Sequence, residues 1–175
     1  MSDEPEIIFG IYCPPHPHPL LCPDASEGYG NLRSAFEECA RRIEESEADI
    51  ILVYSTTWPS IVGHQIQALE KPIWTHVDDD FHYLGSMPYE FKIDVDFANG
   101  MKDAAESRGL HARTVSYDGF PIDTGSVVAL QLLNPDNRIP SVILSSNMYS
   151  NRSETIVLGK AARDTLASQD KKAVV

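Results

Sequence analysis

The chain has 175 residues, 42% of them hydrophobic, and a formal net charge of -12, enough for one domain with a full core and crowded for two. That acidity excludes nucleic acid and anionic membrane as main partners, because binding a polyanion needs a basic face. Three cysteines without a CxxC pair, an acidic start where a signal peptide would be basic, and no apolar run of membrane-spanning length together predict a cytoplasmic protein.

Strand-like and helix-like stretches alternate along the chain. Residues 7–12 read as a short buried strand, and residues 31–47 as a helix in which Leu32, Phe36, Cys39 and Ile43 recur at helical spacing. Residues 49–55 read as a strand buried on both faces, since Ile50-Ile51-Leu52-Val53 shows no polar alternation. An irregular stretch is expected over 59–88. A helix follows over 94–108, closed by Gly109 in the left-handed C-terminal position, and then a strand over 111–117. A short helix is predicted over 126–133, a strand over 141–145, a helix over 153–168 with Ser153 as its cap, and the start of a further strand over 171–175. Such alternation implies an α/β fold with a central, mostly parallel sheet flanked by helices, in one domain over residues 1–175. The chain stops at Ala173-Val174-Val175 without a turn or cap, which reads as a domain incomplete at its C-terminus.

Chemistry-bearing residues gather at a few places. Cys13-Pro14-Pro15-His16-Pro17-His18-Pro19 forms a Pro-flanked histidine loop, and Tyr54-Ser55-Thr56-Thr57-Trp58 closes the apolar run after it. Further on stand Asp123-Thr124-Gly125, Leu132-Leu133-Asn134-Pro135, and the strand after Ile139-Pro140. In this order, over nearly the whole chain, the landmarks resemble the class III extradiol ring-cleavage dioxygenases of the LigB superfamily. The resemblance implies a LigB-like fold and a metal site that begins at His16. It also exposes two departures. Thr57 stands where catalytic members carry a second histidine ligand, and Thr124 stands where they read Asp-His-Gly, with the His beside substrate and oxygen. These enzymes hold Fe(II) with two His and one carboxylate, and a hydroxyl is a poor replacement for imidazole. The family's glutamate ligand falls beyond Val175.

His16, Thr57, Asp123 and Thr124 are therefore expected to line a degenerate pocket without a catalytic residue, a cofactor or a metal of its own. Within the family the pattern resembles the non-catalytic subunits of heteromeric aminophenol dioxygenases. That implies a homologous catalytic beta-type subunit as partner, with the Fe(II) there.

Two other readings compete. In one, the chain is an active metalloenzyme that recruits His16 with His64, or with the run His76, Asp78, Asp79, Asp80 and His82, which offers imidazole and carboxylate within seven residues. A run of three Asp is, however, an ordinary solvated turn or helix start. In the other, the pocket survives as a binding module for a small aromatic ligand. His16 with His18 could also pair on a metal, although loop histidines are usually just solvated. Trp58, Trp74, Phe81, Tyr83 and Tyr89 supply core or a partner-docking patch. Nothing near Cys13 or Cys22 is basic enough to activate a thiolate, and no phosphate-binding glycine loop or Gly-x-Ser-x-Gly is present.

Overall fold

Residues 7–175 are described by a computed structural model of the chain. In chain order the described elements are β1 (Ile7–Phe9), α1 (His18–Leu21), α2 (Glu27–Glu45), β2 (Ile50–Ser60), β3 (His64–Gln67), β4 (Ile73–His76), β5 (Met87–Glu90), α3 (Val95–Ser107), β6 (Ala112–Val115), α4 (Thr124–Leu133), β7 (Ser141–Asn147), α5 (Arg152–Gln169) and β8 (Ala173–Val174). Six strands form one sheet in the order β1-β8-β2-β7-β3-β6. Every neighbouring pair is parallel except β3 with β7. The expected α/β class with a mostly parallel sheet is what the chain adopts.

The absence of polar alternation in β2 has the consequence anticipated for it. Ile51 and Val53 face one apolar cluster together with Phe36, Val127, Leu130 and Ile143. Ile50 and Leu52 face the other, with Phe97, Met101, Leu144, Leu158 and Leu166. Helices α2 and α4 thus cover one face and α3 and α5 the other, because strands buried on both sides need helices on both sides. β8 lies inside the sheet, paired in parallel with β1 and with β2, and its residues are fully buried.

Several boundaries differ from expectation for identifiable reasons. Helix α2 begins at Glu27, where the Ser26 side chain accepts from the Tyr29 amide; Gly28 and Gly30 had interrupted the apolar periodicity there. Helix α4 begins at Thr124, capped by Asp123. Helix α5 is capped by Asn151, not Ser153, through a reciprocal box with Glu154. The first strand is shorter than expected, ending at Phe9. The stretch 59–88 is less irregular than expected, containing β3 and the antiparallel hairpin β4–β5; the polar β3 sequence His-Gln-Ile-Gln concealed a buried strand. Gly109 closes α3 with φ of 81°, as expected.

The β4–β5 hairpin leaves the main sheet and lies along α4. Its base is tied beside the start of β7 by Ser141 N–H donating to Lys92 O at 2.8 Å. Midway, Gln131 Nε2 donates to Pro88 O at 2.6 Å and the Ile122 amide donates to the Tyr89 hydroxyl at 3.0 Å. Its tip arrives at the first turn of α4.

Candidate functional site

Thr57 reaches its position through a break in strand pairing. Ser55 of β2 pairs with Ser145 of β7 and Pro59 with Ser146, so Thr56, Thr57 and Trp58 bulge out of the ladder. A bulge re-aims side chains that would otherwise follow the pleat. Ser55 Oγ holds this one, accepting from the amides of Thr57 and Trp58 at 3.2 Å each.

The bulge delivers Thr57 to the N-terminus of α4. Its hydroxyl donates to Asp123 Oδ1 at 2.5 Å, and the Ser55 hydroxyl donates to the same oxygen at 2.8 Å. Asp123 also caps the helix: Oδ1 accepts from the Ser126 amide at 3.0 Å and Oδ2 from the Ser126 hydroxyl at 2.7 Å. Gly125 lets the helix come this close. A Cβ there would overlap Thr57 Oγ1 and lie 2.9 Å from Pro15 Cβ, so the glycine also seats the histidine loop against the helix.

Thr124 faces a different set of groups. Its hydroxyl, in a residue 8% exposed, donates to Asp78 Oδ2 and lies 2.7 Å from His76 Nε2. Asp78 Oδ1 accepts from the amides of Asp80 at 3.0 Å and Phe81 at 2.9 Å. Burial raises the Asp78 carboxyl, but the Thr124 hydroxyl, the two amides and the His76 imidazole outweigh it and hold it below its ordinary value.

Of the residues singled out from the sequence, the fold brings His16, Thr57, Asp123 and Thr124 to one end of the sheet, and adds His76 and Asp78 from the hairpin tip. It divides the run 76–82, since His82 is exposed, its Nδ1 3.3 Å from Asp79 O and its ring edge-on to Tyr83. His64 does not join this group. It is fully buried on β3, neither ring nitrogen has a hydrogen-bond partner among the described residues, and burial pushes its pKa down against the weaker opposing pull of Ser145 and Glu154. His16 is exposed, its ring edge-on to Phe81 at 5.8 Å and to His18 at 6.3 Å. Burial, with Cys39 adding to it, pushes the Cys13 thiol up to about 11, away from a reactive thiolate. The contacts of Ser55 and Ser126 with Asp123 are not among the expectations from the sequence. Ser three residues after Asp123 was a readable cap signal, whereas the Ser55 contact spans 68 positions.

Among the described residues no three His, Cys, Asp or Glu side chains are grouped so as to share a metal ion. The donor set therefore does not fit an iron held by two His and one carboxylate. His16 lies in the loop, Thr57 offers a hydroxyl already given to Asp123, and Asp123 is engaged by four hydrogen bonds.

The family model described as the catalytic LigB subunit of aromatic ring-opening dioxygenase matches residues 10–175. The chain belongs to the LigB family. It is 29% identical over 97% of its length to the 2-aminophenol 1,6-dioxygenase alpha subunit of Pseudomonas sp, covering 62% of that protein. It is 30% identical, again over 97% of its length, to the beta subunit of that enzyme, covering 60%. The chain thus spans about six tenths of these LigB relatives. An uncharacterized protein, JW3007 of Escherichia coli K12, shares the fold with a TM-score of 0.56 and 18% identity over 82% of this chain and 51% of that one. No helix among the described residues is long and apolar enough to cross a membrane.

Proposed function

We propose that this chain is a non-catalytic, stabilising or regulatory subunit of a heteromeric extradiol dioxygenase that opens 2-aminophenol-type or catechol-type rings with O2. A homologous catalytic beta-type subunit supplies the Fe(II). The observation that carries this reading is the commitment of the Thr57 hydroxyl to Asp123. Extradiol cleavage needs a metal that binds adjacent ring substituents together with dioxygen, and an acid/base group beside it. Here the hydroxyl in place of an imidazole and the nearest carboxylate satisfy each other. Thr124, in place of the acid/base histidine, is likewise occupied between His76 and Asp78. Similarity to both an alpha and a beta subunit of one enzyme supports a pairing of two like folds, the arrangement left when one copy of a duplicated two-fold dimer loses its site.

The test is to express the chain alone and together with a homologous catalytic subunit, and to measure iron, oligomeric state and ring cleavage. The expected result is no stoichiometric iron in the isolated chain and a stable complex that cleaves the ring. About one tightly held iron per chain, lost in His16→Ala, overturns the reading. So does a stable monomer that leaves the partner's activity unchanged on mixing. That last outcome favours a free-standing small-aromatic module, for which a cleft of about 120 Å³ beside Thr57, lined also by Cys13, Pro15, Val53 and Gly125, is the supporting observation.

A further inference from the structure

Among the described residues, a polar and an aromatic set of contacts tie the segment 77–84 to the rest of the chain. The polar tie is the Thr124 hydroxyl. A hydroxyl has one proton, and Thr124 gives it to the acceptor-only carboxylate of Asp78, so the contact with His76 runs from Nε2–H to Thr124 Oγ1. Asp78 then turns the chain, because its other oxygen accepts the amides of Asp80 and Phe81. The second tie is aromatic. This turn aims Phe81 edge-on at His18, with ring centroids 4.7 Å apart, while Tyr29 of α2 stacks on His18 at 4.4 Å. His18 is only 9% exposed and its Nδ1 has no hydrogen-bond partner among the described residues. The other hydrogen bonds described for the segment are local, Leu84 to Phe81, Gly85 to His82 and His82 to Asp79. Asp79, Asp80, His82 and Tyr83 are exposed.

We propose that Thr124, His76 and Asp78 form a latch that holds residues 77–84 closed over the histidine loop 13–19, with Phe81 as the plug against His18. The latch makes the chain its own cover at this end of the sheet. Separating the Thr124 hydroxyl from the Asp78 carboxylate frees Phe81 to leave His18. All of these contacts lie within this chain, so the latch holds whether or not the proposed partner exists.

The test follows amide hydrogen exchange at Asp80 and Phe81, together with carbethoxylation of His18 by diethyl pyrocarbonate, in the full chain. Thr124→Val keeps the shape and removes the hydroxyl. It is expected to speed exchange at those two amides by about ten- to a hundredfold, the range for a lost hydrogen bond to a charged group, and to expose His18 to the reagent. Thr124→Ser is expected to restore protection. Amides of α3 and α5 serve as the reference. Unchanged exchange at Asp80 and Phe81, or an equal rise in α3 and α5, overturns the latch. Phe81→Ala provides an independent reading should Thr124→Val fail to fold: His18 modification is expected to rise while the Asp80 amide stays protected, and an unmodified His18 overturns the plug.

Discussion

Thr57 and Asp123, 66 residues apart, share a hydrogen bond of 2.5 Å between a strand bulge and a helix cap. One carboxylate therefore does three structural tasks: it satisfies the first turn of α4, pins the bulge of β2, and occupies both hydroxyls of Ser55 and Thr57.

Asp123→Ala is expected to destabilise the chain by about 3 kcal/mol. The lost cap contributes about 1 kcal/mol and the orphaned, largely buried Ser55 and Ser126 hydroxyls most of the remainder. Thr57→Val, which leaves the cap intact, is expected to cost about 1 kcal/mol. Urea denaturation of the two variants checks the ordering, and equal losses would contradict it.

Gly125→Ala and Gly159→Ala are expected to move stability in opposite directions. The first forces a methyl into Thr57 and Pro15 and costs about 2 kcal/mol as overpacking. The second adds a methyl inside α5 where no described residue lies within 4 Å, and gains up to about 1 kcal/mol in helix propensity. Thermal unfolding of both reads the contrast directly.

Restoring the missing imidazoles is not expected to restore chemistry. Thr57→His with Thr124→His supplies two nitrogens, but Asp123 keeps three hydrogen bonds, one from Ser55 and two from Ser126, and stays committed to the helix cap. Iron content and ring cleavage should both stay at background. Turnover by this double variant would show that a carboxylate within the present chain completes a metal site.

The buried His64 predicts an acid-sensitive fold. Its folded pKa lies below the ordinary 6.5, chiefly because burial disfavours the imidazolium. As pH falls through about 6.5 the unfolded chain takes up a proton that the folded chain refuses. Stability then drops by up to about 1.4 kcal/mol per pH unit until the folded pKa is reached. Comparing urea midpoints of the chain and of His64→Leu between pH 7 and pH 5 isolates this contribution. Parallel acid slopes would exclude it.

The two candidate caps of α5 separate cleanly under substitution. Asn151→Ala should cost about 1 kcal/mol, whereas Ser153→Ala, inside the first turn, should stay within about 0.5 kcal/mol. Urea midpoints of the two variants give the comparison, and a larger loss at Ser153 would contradict the capping box.

What could be read from the sequence followed from local pattern. The double-faced burial of β2, the closure of α3 at Gly109 and the α/β alternation all depend on residues a few positions apart. The Pro-flanked His16 loop, Thr57 and Asp123-Thr124-Gly125 stood out because each is a short segment that resembles a landmark of the LigB family. What stayed hidden depends on distant pairing. His-Gln-Ile-Gln becomes a buried strand only because β6 and β7 flank it. His76 and Asp78 looked like members of one ligand run with His82. Only the hairpin's course along α4 separates them, sending two to Thr124 and one to solvent.

The reversal of β3 against β7 has a consequence for reach. Running opposite to its neighbour, β3 returns the chain to the end of the sheet where β7 begins, so the next segment must climb back along α4 to meet Thr124. The four residues of β4 rise about 13 Å and the ten of α4 about 15 Å, so strand and helix measure out nearly the same span. The hairpin thus acts as a ruler. Deleting one cross-strand pair, Thr75 with Pro88, shortens it by about 3.3 Å and turns the following side chains to the opposite face. Asp78 would then fall short of the hydroxyl it now accepts from, and the direction of a strand elsewhere in the sheet would have decided which loop covers His18.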